Sequence, residues 1–333
     1  MHAISRRAAL RQGLCLPALG SWGLVAFAQP AAFPSKPILV KVAFPTGGPA
    51  DASIRAANVV LQRNLGQPLL ADNLPGANGS IAAMNVLNAA ADGYTLLGTT
   101  GTDFMVAPLT IASAKYQPDS FRLVGISGWS DFALVSSPAH HFKNIDDLVA
   151  YAKNPANPQL SIGHWGNGSA PHIVGADFQV RTGVKFLEVP YKGAAPAMVD
   201  VAGGQVDLTF IPFSGPTVGM AQSGKLNLIG VASNNRHPLM PQLPTIGESR
   251  SAPGFEYSQW AGVLAPPKTP DAVVGRLTAA MNEWVGSPEN AARIATSYQR
   301  KLDPMTPAQC AALLKAETEK FTRVARALKL EPQ

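Results

Sequence analysis

Two glycine-rich loops, each following an apolar run and each placed to open a helix, constrain this chain more than any other feature. They are Phe44-Pro45-Thr46-Gly47-Gly48-Pro49-Ala50-Asp51 and Gly166-Asn167-Gly168-Ser169-Ala170-Pro171-His172. Glycine lets the backbone approach a ligand closely, and a helix N-terminus offers unpaired N–H groups and the positive end of its dipole. Both loops therefore suit a carboxylate or phosphate. They lie far apart in the chain, so each belongs to its own structural unit, with a small anion held between the two.

The runs around these loops follow βαβ grammar. Ile38 to Phe44 is apolar except for Lys41, as in a strand covered on both faces, and a helix from about Asp51 carries the stripe Ile54, Ala57, Leu61, Leu65 before stopping at Gly66. The turn-rich segment Asp72 to Gly79 leads to a helix capped by Ser80, and Asp92-Gly93 turns the chain into a strand over Tyr94 to Gly98. A second unit reads as strands at Phe132–Ser136, Leu160–Gly163, Lys185–Val189, Val206–Ile211 and Leu226–Val231. The helices between them fall at Asn144–Lys153, from Ser169, at Ala194–Ala202 and at Pro216–Gln222. After the Pro-rich segment Pro238 to Pro253, Phe255 to Leu264 reads as a crossing strand. Helices follow at Asp271–Val285, after Pro288, and at Pro307–Leu328, where Thr306-Pro307-Ala308-Gln309 has capping-box spacing.

Residues 1–28 read as a signal peptide: Arg6, Arg7 and Arg11 precede the uncharged run Gly13 to Phe27, which ends in the cleavage pattern Ala26-Phe27-Ala28. Ser5-Arg6-Arg7-Ala8-Ala9-Leu10 resembles a twin-arginine export signal, with Ala9 where that signal usually carries Phe. The leader holds three of the 27 basic residues and none of the 21 acidic ones, so the mature chain carries a net charge of only +3. With no basic cluster, nucleic acid is not an expected partner. Cys15 leaves with the leader, and Cys310 reads as a buried packing residue that has no cysteine to pair with.

Several familiar chemistries fail on spacing. Ser169 with His172 invites a serine-hydrolase reading, but a nucleophile elbow needs glycine at both flanking positions, and Asn167 and Pro171 stand there. Gly219 to Lys225 has the spacing of a phosphate-binding loop until Leu226 takes the place of the required Ser/Thr. Pro171 occupies the third glycine position of a dinucleotide fingerprint, which argues against a nucleotide cofactor. No metal-binding spacing exists, and the pair His140-His141 reads as surface histidines. What remains is binding chemistry. Gly47 and Gly48 can offer amides, and Asp51 either caps its helix or accepts from a ligand ammonium. Ser169 is a candidate N-cap and His172 a neutral hydrogen-bonding residue. Thr99-Thr100-Gly101-Thr102 lies on the carboxyl edge of the first sheet, where open α/β sheets bind ligands, and Tyr191-Lys192-Gly193 on that of the second.

Taken in order, several segments resemble the substrate-binding proteins of tripartite tricarboxylate transporters, the Bug receptors. They are Pro34-Ser35-Lys36-Pro37-Ile38, the Pro-Thr-Gly-Gly loop with Asp51, Asn73 to Gly79, Ala91 to Leu96, Gly166 to Ser169, and Val189-Pro190-Tyr191-Lys192-Gly193. The resemblance covers nearly all of the mature chain. It implies an α/β, two-lobed periplasmic-binding-protein-like fold, each lobe a mostly parallel sheet flanked by helices. Residues 29–130 with 256–333 would form lobe 1 and 131–255 lobe 2, hinged near Trp129–Phe132 and Phe255–Trp260. The function implied is a monomeric, non-enzymatic receptor without cofactor or metal. It would work in the periplasm, closing on a small carboxylate and handing it to a membrane permease.

The candidate ligand contacts are Phe44, Thr46, Gly47, Gly48, Asp51, Thr100, Gly101, Thr102, Asn167, Gly168, Ser169, His172, Tyr191, Gly193 and Phe213. Pro49 and Ala50 replace the family's usual third glycine and hydroxyl residue, Ala107 stands where Asn is common before Pro108, and Pro212 where a polar residue is frequent. These departures point toward a bulkier or less charged acid, within a range that runs from mono-, di- and tricarboxylates to aromatic acids, amino acids and neutral amides. Two other readings are an exported enzyme acting through Ser169 and His172, and a sensor for a signalling partner. Mass spectrometry of the exported protein should find Gln29 at its N-terminus; a product that retains Arg6 and Arg7 contradicts the leader assignment.

Overall fold

The computed structural model describes residues 33–332, so the leader lies outside the described residues. The first apolar run forms β1 (Ile38–Val42), with Ile38, Val40 and Val42 buried. The first loop then feeds α1 (Pro49–Leu65), which buries Ile54, Ala57, Leu61 and Leu65 and ends at Gly66 in the left-handed conformation, φ 70°. Next come β2 (Leu69–Asn73), α2 (Ser80–Leu87), β3 (Thr95–Thr100) and α3 (Gly101–Thr110). Ser80 is the first helical residue of α2 and not its cap; Gly79 takes the cap position, at φ 84°. The sequence reading has no counterpart of α3, whose opening Gly101 and internal Pro108 hide its period.

The chain continues through β4 (Arg122–Ser136), α4 (Ile145–Lys153), β5 (Ser161–His164), α5 (Ala170–Thr182), β6 (Leu187–Pro190), α6 (Ala194–Ala202), β7 (Leu208–Pro212), α7 (Gly215–Gln222), β8 (Asn227–Val231) and β9 (Ser258–Ala265). It ends with α8 (Asp271–Val285), α9 (Pro288–Ser297) and α10 (Pro307–Ala327). The strands order as β2-β1-β3-β9-β4-β7-β5-β6, with β8 on β4. Each end of this sheet is parallel, β1 pairing with β2 and β3, and β5 with β6 and β7.

Antiparallel β4 and β9 join the two ends. The first part of β4, through Asp131, pairs with β9, and the part from Phe132 pairs with β7, so a single strand serves both halves. Sequence reading finds only the second part, because Gly125 and Gly128 interrupt the apolar run of the first. Those glycines fall where the β4–β9 register shifts. A Cβ at Gly125 would lie 2.8 Å from that of Met281, so α8 can pack against β4 only with glycine there. Arg300 clamps the change of partner: its Nε donates to Asp131 Oδ1 at 2.8 Å and its amide to the Trp129 carbonyl.

The C-terminal helices close the first half, α8 on α1 and β4, and α10 on α3 and β4. The capping box of α10 forms as its spacing requires, Gln309 N–H donating to Thr306 Oγ1 and Thr306 N–H to Gln309 Oε1. Cys310 is buried in this interface, and burial pushes its thiol up to about 11. No helix among the described residues is long and apolar enough to cross a membrane. Phe321→Ala, which empties a fully buried position on α10, should cost about 3–5 kcal/mol in urea unfolding. The exposed Glu319→Ala should change stability by no more than about 0.5 kcal/mol; equal effects would contradict the packing of α10.

Candidate functional site

The first loop is wired internally. Gly47 N–H donates to Asp51 Oδ2 at 2.9 Å and Gly48 N–H to the Pro45 carbonyl at 3.1 Å, so these two amides are engaged within the protein and are not the open cradle expected from the sequence. Gly48 is the N-cap of α1, and Asp51, buried in the first turn, reaches back to the loop. Arg55 Nε donates to both Asp51 oxygens, at 2.9 and 3.0 Å, and Asn73 Nδ2 donates to Asp51 Oδ1 and to the Phe44 carbonyl, each at 2.9 Å. Burial pushes the Asp51 carboxyl up, but the bonds from Arg55, Gly47 and Asn73 outweigh it and hold the group below the usual aspartate range. Exposed Thr46 donates to Asn73 Oδ1 at 3.2 Å. Asp51 is thus neither the cap nor a free acceptor; it is the knot of the loop.

A second arrangement forms where β3 runs directly into α3. Gly101 packs against the Trp260 indole, where a Cβ would come within 2.2 Å of the ring. Thr100 Oγ1 donates to Asp103 Oδ2 at 2.6 Å, and Asp103 Oδ1 accepts the Ala170 amide at 2.8 Å. Ala170 is the first residue of α5, so the carboxylate of one helix sits on the N-terminus of another. Burial raises the Asp103 pKa above the usual value, opposed by donors from Thr100, Ala170 and Trp165. Other contacts meet at the same place. A Cβ on Gly168, at φ 74°, would lie 2.1 Å from Thr110 Oγ1 at the end of α3, and Asn78 Nδ2 donates to the Asn167 carbonyl at 2.6 Å. Three polar atoms beside this junction are buried without a hydrogen-bond partner: Thr102 Oγ1, Ser169 Oγ and Trp260 Nε1. Ser169 is the N-cap of α5 by position, but its hydroxyl makes no capping bond.

The structure therefore brings Thr100, Gly101, Thr102, Asn167, Gly168 and Ser169 together, and ties the first loop to them through the turn at Asn78-Gly79, where a Cβ on Gly79 would sit 3.6 Å from the Phe44 ring. His172 lies behind the second loop, its Nδ1 accepting the Gly168 amide at 2.9 Å. Tyr191 points away: its hydroxyl donates to Asp200 at 2.7 Å, and burial with that carboxylate lifts it to about 12. Gly193 caps α6, and Phe213 is fully buried against His237 and Tyr298, so its ring faces the core. Of the two neighbouring histidines only His141 is exposed; His140 corrects the surface reading, bonded to Asp207 at 2.6 Å and stacked on Phe142.

Sequence reasoning missed Asp103, Asn78, Trp260, His164 and Glu188. Asn78 lay within the Asn73 to Gly79 segment, and Asp103 carried a signal as a single acid ahead of the apolar run Phe104-Met105-Val106-Ala107.

The family model described as "Tripartite tricarboxylate transporter family receptor" matches residues 54–330. The chain belongs to this receptor family. It is 33% identical over 295 residues to the UPF0065 protein in the tcbD-tcbE intergenic region of Pseudomonas sp. (strain P51), covering 88% of this chain and 86% of that one. Among solved structures it is similar to the periplasmic binding protein BugD (TM-score 0.80, 30% identity, 90% of this chain and 100% of that chain). It is also similar to R. palustris Rpa4515 with adipate (TM-score 0.81, 28% identity, 90% of this chain and 100% of that chain). The receptor's fold is thus that of the two-lobed periplasmic binding proteins.

The buried acid gives a pH signature. Because the folded-state pKa of Asp103 is raised above the ordinary 3.8, its stabilising contribution is full below that value and is lost as pH rises through the raised one. The stability difference between the wild type and Asp103→Asn, read by urea unfolding, should therefore shift against the wild type as pH climbs above about 3.8. A shift in the opposite direction would contradict the burial assigned to Asp103.

Proposed function

We propose that this receptor is exported to the periplasm, captures a small carboxylate between its two lobes as a monomer, and delivers it to a permease of the tripartite tricarboxylate type. The observation that carries this reading is the set of unpartnered donors at the α3–α5 junction. A buried polar atom without a partner costs roughly 1–3 kcal/mol, and Thr102 Oγ1, Ser169 Oγ and Trp260 Nε1 all supply donors. The oxygens of a carboxylate are what such donors lack. Asp103 on the Ala170 amide supports the reading, since it is itself a carboxylate seated at the N-terminus of α5. The similar protein solved with adipate supports a short dicarboxylate as the ligand class.

On this reading, lobe 1 comprises residues 29–130 and 256–333 and lobe 2 residues 131–255. The hinge falls where β4 changes partner between Asp131 and Phe132 and where the chain re-enters β9. Ligand contacts from both lobes exist only in the closed state, so binding shifts the population toward it. The alternative of an enzyme acting through Ser169 finds no support in the geometry. His172 Nδ1 is taken by the Gly168 amide and its Nε2 faces Glu188 at 3.5 Å, which leaves neither nitrogen of His172 to activate the serine.

Thermal-shift screening of the mature protein against linear dicarboxylates, hydroxy acids and aromatic acids should find at least one stabilising acid, worth about 2.7 kcal/mol at a hundred times its Kd. Thr102→Ala and Ser169→Ala should each weaken it. Stabilisation by neutral compounds alone, or by no compound, would overturn the carboxylate reading.

A further inference from the structure

Behind the second loop the fold assembles three side chains that lie on three different elements: His164 at the end of β5, His172 in the first turn of α5, and Glu188 on β6. One metal-ligating atom from each lies within 4.8 Å of the other two. Nε2 of His172 is 3.5 Å from Glu188 Oε2, and the two imidazole rings are 4.7 Å apart between centroids. His164 is 2% exposed, and the His172 and Glu188 side chains are 11% and 39% exposed, so the cluster is walled by the protein on the histidine side and open to solvent at the carboxylate.

The hydrogen bonds fix the state of each donor. His164 Nδ1 lies 3.0 Å from the Gly166 carbonyl, which can only accept, so the proton sits on Nδ1 and Nε2 keeps its lone pair. That is how metal-bound histidines are held, with the second ring nitrogen donating to a carbonyl. Two imidazoles and one carboxylate, without thiolate, suit a divalent first-row cation such as Zn²⁺, with a further position left for water. We propose that His164, His172 and Glu188 form a transition-metal site at the base of the Gly166–Ser169 loop.

The site would act on that loop. The Gly168 amide donates to His172 Nδ1, so without a cation His172 carries its proton on Nε2, facing Glu188. A cation that takes Nε2 moves this proton to Nδ1, where it opposes the Gly168 N–H. No proton leaves the protein; the tautomer changes. Filling the site therefore breaks the bond that ties Gly168 to His172 and changes the loop on which α5 begins. The inference holds whether or not the cleft takes a carboxylate, because its probe is the metal alone.

Calorimetric titration of the mature protein with ZnCl₂ should show one saturable equivalent. His164→Ala and Glu188→Gln should each weaken it at least about tenfold, judged against the 10–100-fold losses seen when even outer-shell partners of a metal are removed. The exposed His141→Ala should leave it unchanged. Glu188→Gln, at the open side of the cluster, keeps the test decisive if His164→Ala fails to fold. Nitrogen-15 spectra should show the His172 proton moving from Nε2 to Nδ1 and the Gly168 amide resonance shifting with Zn²⁺. Absence of saturable binding, or one equivalent retained in Glu188→Gln or lost in His141→Ala, would overturn the site. An unmoved Gly168 amide in the Zn²⁺-bound protein would overturn its link to the loop.

Discussion

The arrangement of the site depends on one buried interaction, the Asp103 carboxylate of α3 on the first amide of α5. A helix N-terminus presents N–H groups that need acceptors, and burying them without one is costly. Here the acceptor comes from the opposite half of the sheet, so satisfying α5 also holds the two halves together. Thr100 supplies a further donor to the same carboxylate from the end of β3. Gly101 and Gly168 make the approach possible: a methyl at the first would enter the Trp260 ring, and one at the second would overlap Thr110. The glycines that suggest anion binding in the sequence thus also let two helices and a tryptophan meet.

The two loops turn out to play unequal parts. The first is closed on itself, with Asp51, Arg55 and Asn73 consuming its polar groups, and its place in the site is set through Phe44, Gly79 and Asn78. The second sits at the junction with α3, where buried donors remain unmatched. Ala50 and Ala107, two departures from the family pattern, are buried and offer no polar group. On the function proposed above, recognition rests on the neutral donors of Thr102, Ser169 and Trp260, a smaller set than two open glycine cradles would supply.

Periodicity made most of the fold legible. The stripe of α1, the two long C-terminal helices and the capping box at Thr306 follow from local rules that tertiary packing did not override. The misses share a cause. The first part of β4 and the whole of α3 carry glycine or proline where a regular element would not, and those residues are there because of neighbours distant in sequence, Met281 for Gly125 and Trp260 for Gly101. The site was legible as two loops and illegible as a junction. Asp103 and Ala170 lie on separate βα units, as do His164 and Glu188 across α5, and no spacing rule joins them.

A crystal structure of the protein with the acid that stabilises it best would show whether the α3–α5 junction holds the ligand. A ligand carboxylate should lie within hydrogen-bonding distance of Thr102 Oγ1 or Ser169 Oγ, between α3 and α5. Electron density for the ligand elsewhere would contradict it, for instance in the cavity of about 190 Å³ lined by Trp129, Met281 and Leu302, with those hydroxyls still unpaired.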